Sequence, residues 1–333
     1  MIKKHTYNLF HRFIERLGGR LAIIALLLSV TGEVYAQNFV NTGRLNNTGT
    51  FRVKNGVSGL PDTVGGTFEY FGGSQNVQAV TYNILNLLGA SSTKSTNGFI
   101  SILQSVSVAK DVTYQLQSNS LLTLSPTAGR LTEQGIVLGS VTKTVDLSAS
   151  EDSTDFGGIG LSLKYSGGAL GSTNVLRVSG TAPTTNALLR SFKITPTNLQ
   201  PIKGALSFAY RPDEVPSGHS ESRLELWRSI DGGKTWRRQH TTHGGETRQL
   251  VRSQWFIDGQ WTAADSAYLI GPANYEGDPD VILASQDSLR GRVNNVLNPF
   301  VAQISDVFGN PISNVKVKVT FAETPSEALG YQI

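Results

Sequence analysis

The stretch G-G-T-F-E-Y-F-G-G-S-Q-N-V-Q-A-V-T-Y-N, residues Gly65–Asn83, alternates short apolar segments with turns rich in Gly, Ser and Asn. Aromatic and β-branched residues favour strands, whereas Gly and Asn tolerate the backbone angles of tight turns. The same pattern continues on both sides of this stretch, over Gln37–Leu124. The sequence therefore predicts a run of short strands joined by tight turns.

Strong apolar positions recur along this region at a nearly constant spacing. Intervals of 17, 19, 19 and 16 residues separate Phe51, Phe68, Leu87, Val106 and Leu122. A strand-and-turn unit of this length cannot bury its apolar face alone, so it must stack on its neighbours. The spacing predicts a β-solenoid-like repeat region over residues 37–130. An irregular β-sandwich is the alternative.

Residues 131–272 differ, because their predicted strands are better formed and alternate more cleanly. Leu206, Phe208 and Tyr210 share one face, and Gly-, Pro- and Asp-rich turns separate the strands. This spacing is typical of an antiparallel β-sandwich of about 100 residues or more. The polar residues 273–279 are interpreted as a linker, because they carry Gly and Pro and no apolar period.

A second informative stretch, Asn298–Phe321, reads N-P-F-V-A-Q-I-S-D-V-F-G-N-P-I-S-N-V-K-V-K-V-T-F. Its segment D-V-F-G-N-P is a turn signal: Asp starts the turn, Gly and Asn tolerate positive φ, and Pro fixes the exit. After it, Val at every second position and a final Phe alternate with Lys and Thr. This period of two predicts a strand with one buried face.

This stretch resembles the start of a bacterial Ig-like domain of the invasin/intimin type. The matching residues are Asp306, Gly309, Asn310 and Pro311, followed by Val315, Val317, Val319 and Phe321. The resemblance implies an extracellular spacer or adhesin module rather than an enzyme. An Ig-type sandwich needs about 100 residues. Because residues 280–333 supply 54, we expect an incomplete Ig-like domain there, in a fragment of a longer chain.

Two further segments carry resemblances. Gly65–Asn83 is similar to repeats of large surface proteins of the Bacteroidetes type. Residues 192–196 and 224–236 resemble the β-sandwich that often follows such repeats. Together these likenesses imply a modular, secreted surface protein.

Residues 1–36 have the order of a secretory signal peptide. Five Lys and Arg residues precede the apolar run Leu21–Val30, and small residues end at Ala36, before Gln37. We expect a short signal helix and cleavage between Ala36 and Gln37. The mature protein would then be secreted, and either released or attached to the bacterial outer-membrane surface. An uncleaved anchor is rejected, because ten apolar residues fall short of the ~20 that span a bilayer.

Charge and cysteine content narrow the function further. The chain has 29 Lys and Arg against 25 Asp and Glu, and removal of the leader leaves 24 against 23. A nearly neutral chain lacks the basic surface that nucleic acids require, so no nucleic-acid partner is expected. Cysteine is absent. Stability must therefore come from apolar burial and strand pairing rather than from disulfides.

One motif has an enzymatic association. Ser229, Asp231, Gly233, Thr235 and Trp236 fit the pattern S-x-D-x-G-x-T-W, which is similar to the Asp box of sialidases and related propellers. The physical reading is a stabilised turn: Asp accepts backbone hydrogen bonds, Gly takes the left-handed position and Trp packs underneath. A propeller needs repeats of about 40–50 residues, and the motif occurs once. We therefore favour the structural turn over a sialidase-like enzyme.

Three other patterns resemble motifs for metal binding, nucleophilic catalysis or dinucleotide binding. His240 and His243 form H-x-x-H, but they lie in a Thr- and Gly-rich segment and no Cys is present as a further metal ligand. Residues 218–222, G-H-S-E-S, lack the last Gly of the G-x-S-x-G nucleophile elbow. Residues 157–160, G-G-I-G, lack the spacing of a dinucleotide-binding loop. We interpret all three as turns or loops, and no catalytic or cofactor-binding residue is predicted.

Calcium is the one cofactor that the sequence leaves open. Two acidic clusters, at Glu151, Asp152 and Asp155 and at Glu276, Asp278 and Asp280, offer carboxylates near predicted module junctions. Neither cluster has an ordered ligand spacing. Carboxylate ligands for calcium are therefore present, but they do not form a calcium-binding motif.

These observations predict a secreted, non-enzymatic cell-surface protein, adhesin-like or a structural stalk, built from β modules. Its partner would be an unknown extracellular ligand, either a host or environmental glycan or a protein. The alternative is the carbohydrate-binding part of a longer secreted glycan-degrading enzyme, with the Asp box as its motivation. Trp255, Trp261 and Tyr275 could stack on sugar rings, but core packing is the favoured explanation for them.

Overall fold

The structure is a computed structural model of the 333-residue chain. It describes residues 22–23, 28–30, 33–41, 45–239, 241–243, 246–265, 281–284 and 302–305. The described fold is all-β, as the sequence predicts, and its helical content is limited to two short 3-10 turns. The chain divides into two compact units, Met1–Ala273 and Asn274–Ile333.

The first unit begins with a series of mostly short strands. They are β1 (Ala22–Ile23), β2 (Leu28–Val30), β3 (Glu33–Asn41), β4 (Leu45–Asn47), β5 (Thr50–Ser58), β6 (Thr63–Tyr70), β7 (Gln75–Asn76), β8 (Thr81–Leu87), β9 (Ser92–Thr96), β10 (Phe99–Val108), β11 (Val112–Leu116), β12 (Leu121–Leu124), β13 (Arg130–Glu133) and β14 (Ile136–Leu147).

The remaining elements of the first unit, and the two strands of the second, follow. They are β15 (Ser150–Asp155), β16 (Leu161–Gly167), β17 (Gly171–Ser179), β18 (Ala187–Pro196), β19 (Ile202–Ala209), the 3-10 turns η1 (Pro212–Glu214) and η2 (Glu221–Arg223), β20 (Leu224–Ser229), β21 (Arg237–Gln239), β22 (Thr242–His243), β23 (Thr247–Trp255), β24 (Gly259–Asp265), β25 (Val281–Ala284) and β26 (Ala302–Ser305).

The first half of this unit is a β-solenoid of about six turns. On its first face, β3, β5, β6, β8 and β10 stack in parallel, and β12 and β13 both pair with β10. On its second face, β7, β9, β11 and the start of β14 stack in parallel. The solenoid predicted from the apolar spacing is confirmed.

Stacking places like side chains above one another in columns. Val53, Tyr70, Leu87 and Val108 are successive register partners, and all four are fully buried. Each coil covers the apolar residues of the next, so the coils must stack to bury these columns.

The register differs from the predicted one beyond the first two anchors. The observed column contains Phe51, Phe68, Leu85, Val106 and Leu131, at intervals of 17, 17, 21 and 25 residues. Leu87 lies in the neighbouring column, and Leu122 pairs with Ile100. Along these longer intervals β10 carries a register shift between Ile102 and Ser105, and the last coil is divided between β12 and β13.

Strand β14 connects the solenoid to an antiparallel sandwich. It pairs in parallel with β11 and β12, and along its other edge it pairs antiparallel with β17. The sheet then continues through β18, β24, β20 and β21, and a five-stranded sheet of β15, β16, β19, β23 and β22 packs on it. Phe192 of one sheet meets Phe208 of the other edge to face, with ring centroids 5.0 Å apart.

One hydrophobic core runs through both halves of this unit, from Phe39 in the solenoid to Ala263 in the sandwich. The predicted boundary between residues 130 and 131 stays a prediction. Trp255 and Trp261 belong to this core, with 4% and 0% of their surface exposed, which is the favoured expectation for both. Tyr275 lies outside the described residues.

The second unit contains the antiparallel pair β25 and β26, with Val281 opposite Ser305. The predicted Ig-like motif residues Asp306, Gly309, Asn310 and Pro311 lie outside the described residues, as do residues 273–279 of the predicted linker. The Ig-like domain therefore stays a prediction.

The predicted leader is described only in part. Ala22–Ile23 and Leu28–Val30 are strands, and β3 crosses the predicted cleavage site between Ala36 and Gln37. The rest of the predicted signal helix lies outside the described residues, so signal helix and cleavage stay predictions. No helix in the described part of the chain is long and apolar enough to cross a membrane.

Candidate functional site: a polar groove on the solenoid

An open groove of about 530 Å³ lies between the end of β5 and the second face of the solenoid. Its lining residues are Asn55, Gly56, Val57, Ser74, Gln75, Asn76, Thr93 and Ser95. They come from β5, β7, β9 and the turn before β7, which are parts of three successive coils. We call this feature the polar groove.

The groove lies where the parallel ladder is interrupted. Thr50–Val53 of β5 pair with β6, whereas Gly56–Ser58 pair only with β3 on the other side. Strand β7 pairs with β9. Among the described residues, no ladder joins Gly56–Ser58 to β7. The two coils therefore separate here, and the gap between them forms the groove.

Polar side chains of neighbouring coils line the groove and bond to one another. The Ser95 hydroxyl donates to Asn76 Oδ1 at 2.7 Å, and the Ser74 hydroxyl accepts from the backbone N–H of Thr93 at 2.9 Å. Asn76, Thr93 and Ser74 are exposed. The lining residues carry amides and hydroxyls and no ionisable side chain. Such groups recognise neutral, hydrogen-bonding ligands.

Gln75 is the buried polar residue of the groove. Only 8% of its surface is exposed, and its Nε2 donates to the Phe71 carbonyl oxygen at 2.8 Å. Its Oε1 accepts no hydrogen bond from the described residues. A buried acceptor without a donor costs about 1–3 kcal/mol. This oxygen is itself buried, on the inward side that Gln75 shares with its ladder neighbour Lys94.

Lys94 lies directly beside Gln75 in the ladder, on the inner side of the solenoid. Its side chain is fully buried, and Nζ donates to the carbonyl oxygens of Gly72 at 3.1 Å and Gly73 at 2.5 Å. Burial lowers the pKa of Lys94 to about 8. A buried ammonium below the groove disfavours cationic ligands.

A second polar cluster, at the junction of solenoid and sandwich, is structural. Glu133 ends the apolar column of Val108 and bonds Arg177 at 2.6 Å and Arg211 at 2.9 Å, while Arg190 pairs with Glu214 at 2.9 Å. Burial alone would raise the pKa of Glu133, but Arg177 and Arg190 outweigh it and lower the pKa. Because β13, β17, β18 and η1 each supply a member, this network joins the two halves.

The Asp-box residues form a closed turn. Asp231 accepts hydrogen bonds from the Ser229 hydroxyl, the Lys234 and Thr235 amides and the Thr235 hydroxyl, at 2.6–3.0 Å. Trp236 donates from Nε1 to the Gly233 carbonyl oxygen at 3.2 Å and packs on Trp227 and Ala264.

Burial alone would raise the pKa of Asp231, but the hydrogen bonds from Thr235, Ser229 and Lys234 together outweigh it and hold the pKa well below its ordinary value. The carboxylate is thus engaged by its own turn. The turn also covers the buried indoles of Trp227 and Trp236.

Of the remaining candidate patterns, the two that the structure describes are not assembled into sites. Ser220 precedes the 3-10 turn η2, and its backbone N–H donates to Asp265, so the required strand-to-helix elbow is not formed. Gly158, with φ +79°, lies against the solenoid, since an added Cβ would meet the Leu131 carbonyl oxygen at 2.1 Å. His240 and the His243 side chain lie outside the described residues.

The two acidic clusters give calcium no support among the described residues. Asp155 pairs with Arg130 at 2.8 Å and accepts from the Gly158 amide. Glu151 and Asp152 have no described side chains, and residues 276–280 lie outside the described part. No group of three or more metal-ligating side chains occurs among the described residues. Calcium binding therefore stays untested.

Sequence reasoning missed both the groove and the Arg–Glu network. The groove has a weak signal, the polar run Ser74–Asn76 beside Thr93 and Ser95, but its width depends on how the coils diverge. No family model, curated protein or solved structure matches the chain. The function must therefore be inferred from the geometry and from the resemblances noted above.

Proposed function

We propose that this chain is a secreted, non-enzymatic cell-surface protein, an adhesin-like or stalk-forming array of β modules. The observation that carries the proposal is the single core that passes from the solenoid into the sandwich. A stack of about six coils at ~4.8 Å per coil holds its polar groove on a stiff support. The buried Glu133 network fixes the sandwich to the end of that stack.

The sequence resemblances support a location outside the cell. A signal peptide ending at Ala36 and an Ig-like module after Asp280 are features of exported bacterial surface arrays. The closed Asp-box turn supports a structural role for residues 229–236, because the carboxylate of Asp231 is fully occupied by the turn.

A direct test uses intact cells of the producing bacterium with an epitope tag after Gly218, in an exposed turn. We expect antibody labelling of intact cells, a mature N-terminus at Gln37 by mass spectrometry, and loss of adhesion to a ligand-coated surface when the gene is deleted. A chain that stays inside the cell with residues 1–36 attached would contradict the proposal.

The second candidate is the carbohydrate-binding part of a secreted glycan-degrading enzyme. The groove favours it, because amides and hydroxyls suit sugar hydroxyls. The two functions differ in whether a polysaccharide is hydrolysed. We expect the purified chain to release no reducing ends from polysaccharides, and measurable release would replace the first proposal with the second.

A further inference from the structure

We propose that removal of the leader opens the N-terminal end of the solenoid, and that two mature chains pair there through the edge of β5. Residues 50–53 of one chain would form a ladder with the same residues of a second copy. This inference deepens the proposed surface function and rests on it, because it requires cleavage between Ala36 and Gln37. It identifies a second copy of this chain as the partner.

The predicted cleavage site coincides with a break in the ladder between β3 and β5. Before the break, residues 33–36 pair with residues 50–53, and after it residues 38–40 pair with residues 56–58. The register shift that separates the two ladders lies between Ala36 and Asn38. Cleavage after Ala36 therefore removes the first ladder completely and leaves the second intact.

Two more strands of the predicted leader pair at the same end of the solenoid. Strand β1 pairs with Val40 and Asn41 of β3, and β2 pairs with all of β4, Leu45–Asn47. Both leader strands leave with the cleaved segment, so β3, β4 and β5 lose a ladder partner together. The unpaired N–H and C=O groups of such an edge are a template for pairing with another chain.

Cleavage also uncovers apolar side chains at this end of the core. Val34 and Ala36 pack on the core, and their register partners in β5 are Phe51 and Val53. Phe51 is 1% exposed, and its ring meets that of Phe39 with centroids 4.6 Å apart. Loss of Val34 opens this aromatic pair to water. A second copy that covers it removes the apolar surface from water again, which favours association.

The other end of the solenoid is already covered. There β14 continues into the sandwich through its antiparallel ladder with β17, and the Leu131 amide donates to the Gly157 carbonyl oxygen at 2.7 Å. Within the part of the chain that the structure describes, the mature solenoid thus has one open end. Two identical ends that meet form a closed, two-fold symmetric pair. Association therefore stops at two chains.

Side-chain chemistry selects the register of the pair. Because the two ends meet across a two-fold axis, the paired strands run antiparallel. Inward residues must stay inward, so Phe51 faces either Phe51 or Val53 of the second copy. The second register places Arg52 directly opposite Arg52 of the second copy, and like charges at opposite positions are destabilising. The first register pairs the two aromatic rings and places each Arg52 opposite Thr50, so it is the expected one.

The contact can be mapped by disulfide cross-linking, because the chain contains no cysteine of its own. Thr50→Cys and Arg52→Cys are prepared separately in a chain of residues 37–333 and then mixed under mild oxidation. Opposite residues of an antiparallel pair have Cβ atoms about 4.5–5.5 Å apart, close to the separation that a disulfide requires. The matched control is Ser107→Cys, in the same outward column three coils further from the open end.

We expect the mixture of Thr50→Cys and Arg52→Cys to form a cross-linked dimer, and each variant alone and Ser107→Cys to remain uncross-linked. Sedimentation of the unsubstituted chain of residues 37–333 should give twice the mass of one chain. Unchanged far-UV circular dichroism would show that the variants fold. A monomeric chain, cross-linking through Ser107→Cys, or Arg52→Cys linking only to itself would overturn the inference.

A chain that begins at residue 33 tests the role of the removed segment. It restores the strand partner of residues 50–53, so at least one strand at a spacing of ~4.8 Å separates the two cysteines. We expect the cross-link between Thr50→Cys and Arg52→Cys to be lost in this longer chain. Cross-linking as efficient as in residues 37–333 would show that the edge of β5 is not the contact.

The surface function is judged separately, by labelling of intact cells and by the N-terminus of the exported chain. An exported chain that begins at Gln37 and sediments as a monomer would end this inference and leave the surface function standing. A chain that stays inside the cell with residues 1–36 attached would contradict the surface function, whereas purified residues 37–333 would still form the cross-linked dimer.

Discussion

Lys94 is a single ammonium group enclosed by the solenoid, and its titration should be visible in the stability of the protein. Its pKa falls from 10.5 to about 8 on folding. Between these values the unfolded chain binds more protons than the folded chain, so stability rises with pH and is lost as pH falls through 8. We expect the free energy of unfolding to increase by about 2 kcal/mol from pH 7 to pH 9.5 through this group.

Urea unfolding at the two pH values measures this increase, and Lys94→Met should abolish it. Tyr70 acts in the opposite direction at higher pH. Burial raises its pKa from 10.0 to about 12, so its contribution is complete below pH 10 and declines as pH rises through 12. Unfolding measurements below pH 10 therefore report the effect of Lys94 without that of Tyr70. Equal pH dependence in the wild-type chain and Lys94→Met would refute the assignment.

Glu133 is the carboxylate that pairs with Arg177 and Arg211 at the junction of solenoid and sandwich. Glu133→Gln would leave Arg177, which is fully buried, without its charged partner. Removing one partner of a buried ion pair costs about 3–5 kcal/mol. The matched control is Asp213→Asn, because Asp213 pairs with Arg211 but is about half exposed, and exposed pairs contribute about 0–1 kcal/mol.

Chemical denaturation of the two variants at pH 7 checks this ranking. The depressed pKa of Glu133 also sets a pH dependence: its stabilisation is present above 4.5, the ordinary value, and disappears as pH falls through the folded pKa. If Glu133→Gln were no more destabilising than Asp213→Asn, the network would not hold the two halves together.

At the scale of elements, the Asp-box hairpin between β20 and β21 acts as a cover for the Trp227 and Trp236 indoles. Asp231→Ala removes four hydrogen bonds that close the turn. We expect a loss of about 1–2 kcal/mol and a red-shifted tryptophan emission, since the indoles gain access to water. The control Lys234→Ala alters an exposed side chain of the same turn and should leave both unchanged. Unshifted emission in Asp231→Ala would show that the turn does not protect the indoles.

The elements also show what the sequence can and cannot predict. Apolar spacing predicts a solenoid because each coil must cover the next, and Phe51 does stack on Phe68, with ring centroids 5.3 Å apart. It does not predict register: Leu85, and not Leu87, is the partner of Phe68, and later in the chain β10 carries a register shift and the last coil is divided between β12 and β13.

The candidate site was less accessible to prediction than the fold. The polar groove is an interrupted ladder, so it depends on where β5 leaves its neighbour rather than on any residue type. The Asp box was recognisable because all its bonds are local, between residues 229 and 236. The members of the Glu133 network are separated by up to 81 positions, and no short pattern connects them.

For the whole molecule, the shared strand β14 and the continuous core predict that solenoid and sandwich unfold together. All four tryptophans, Trp227, Trp236, Trp255 and Trp261, lie in the sandwich. Tryptophan fluorescence therefore reports only on that half. Leu85 is fully buried in the solenoid, and Leu85→Ala should cost about 2–5 kcal/mol.

If the two halves are coupled, Leu85→Ala lowers the urea midpoint seen by tryptophan fluorescence as much as the midpoint seen by far-UV circular dichroism. Leu163→Ala, in the core of the sandwich, serves as the matched variant and should lower both midpoints alike. Stacked repeats that interact only with their neighbours can unfold separately when one interface is weak. A fluorescence midpoint that Leu85→Ala leaves unchanged would mean that β14 and the Glu133 network do not transmit stability across the junction.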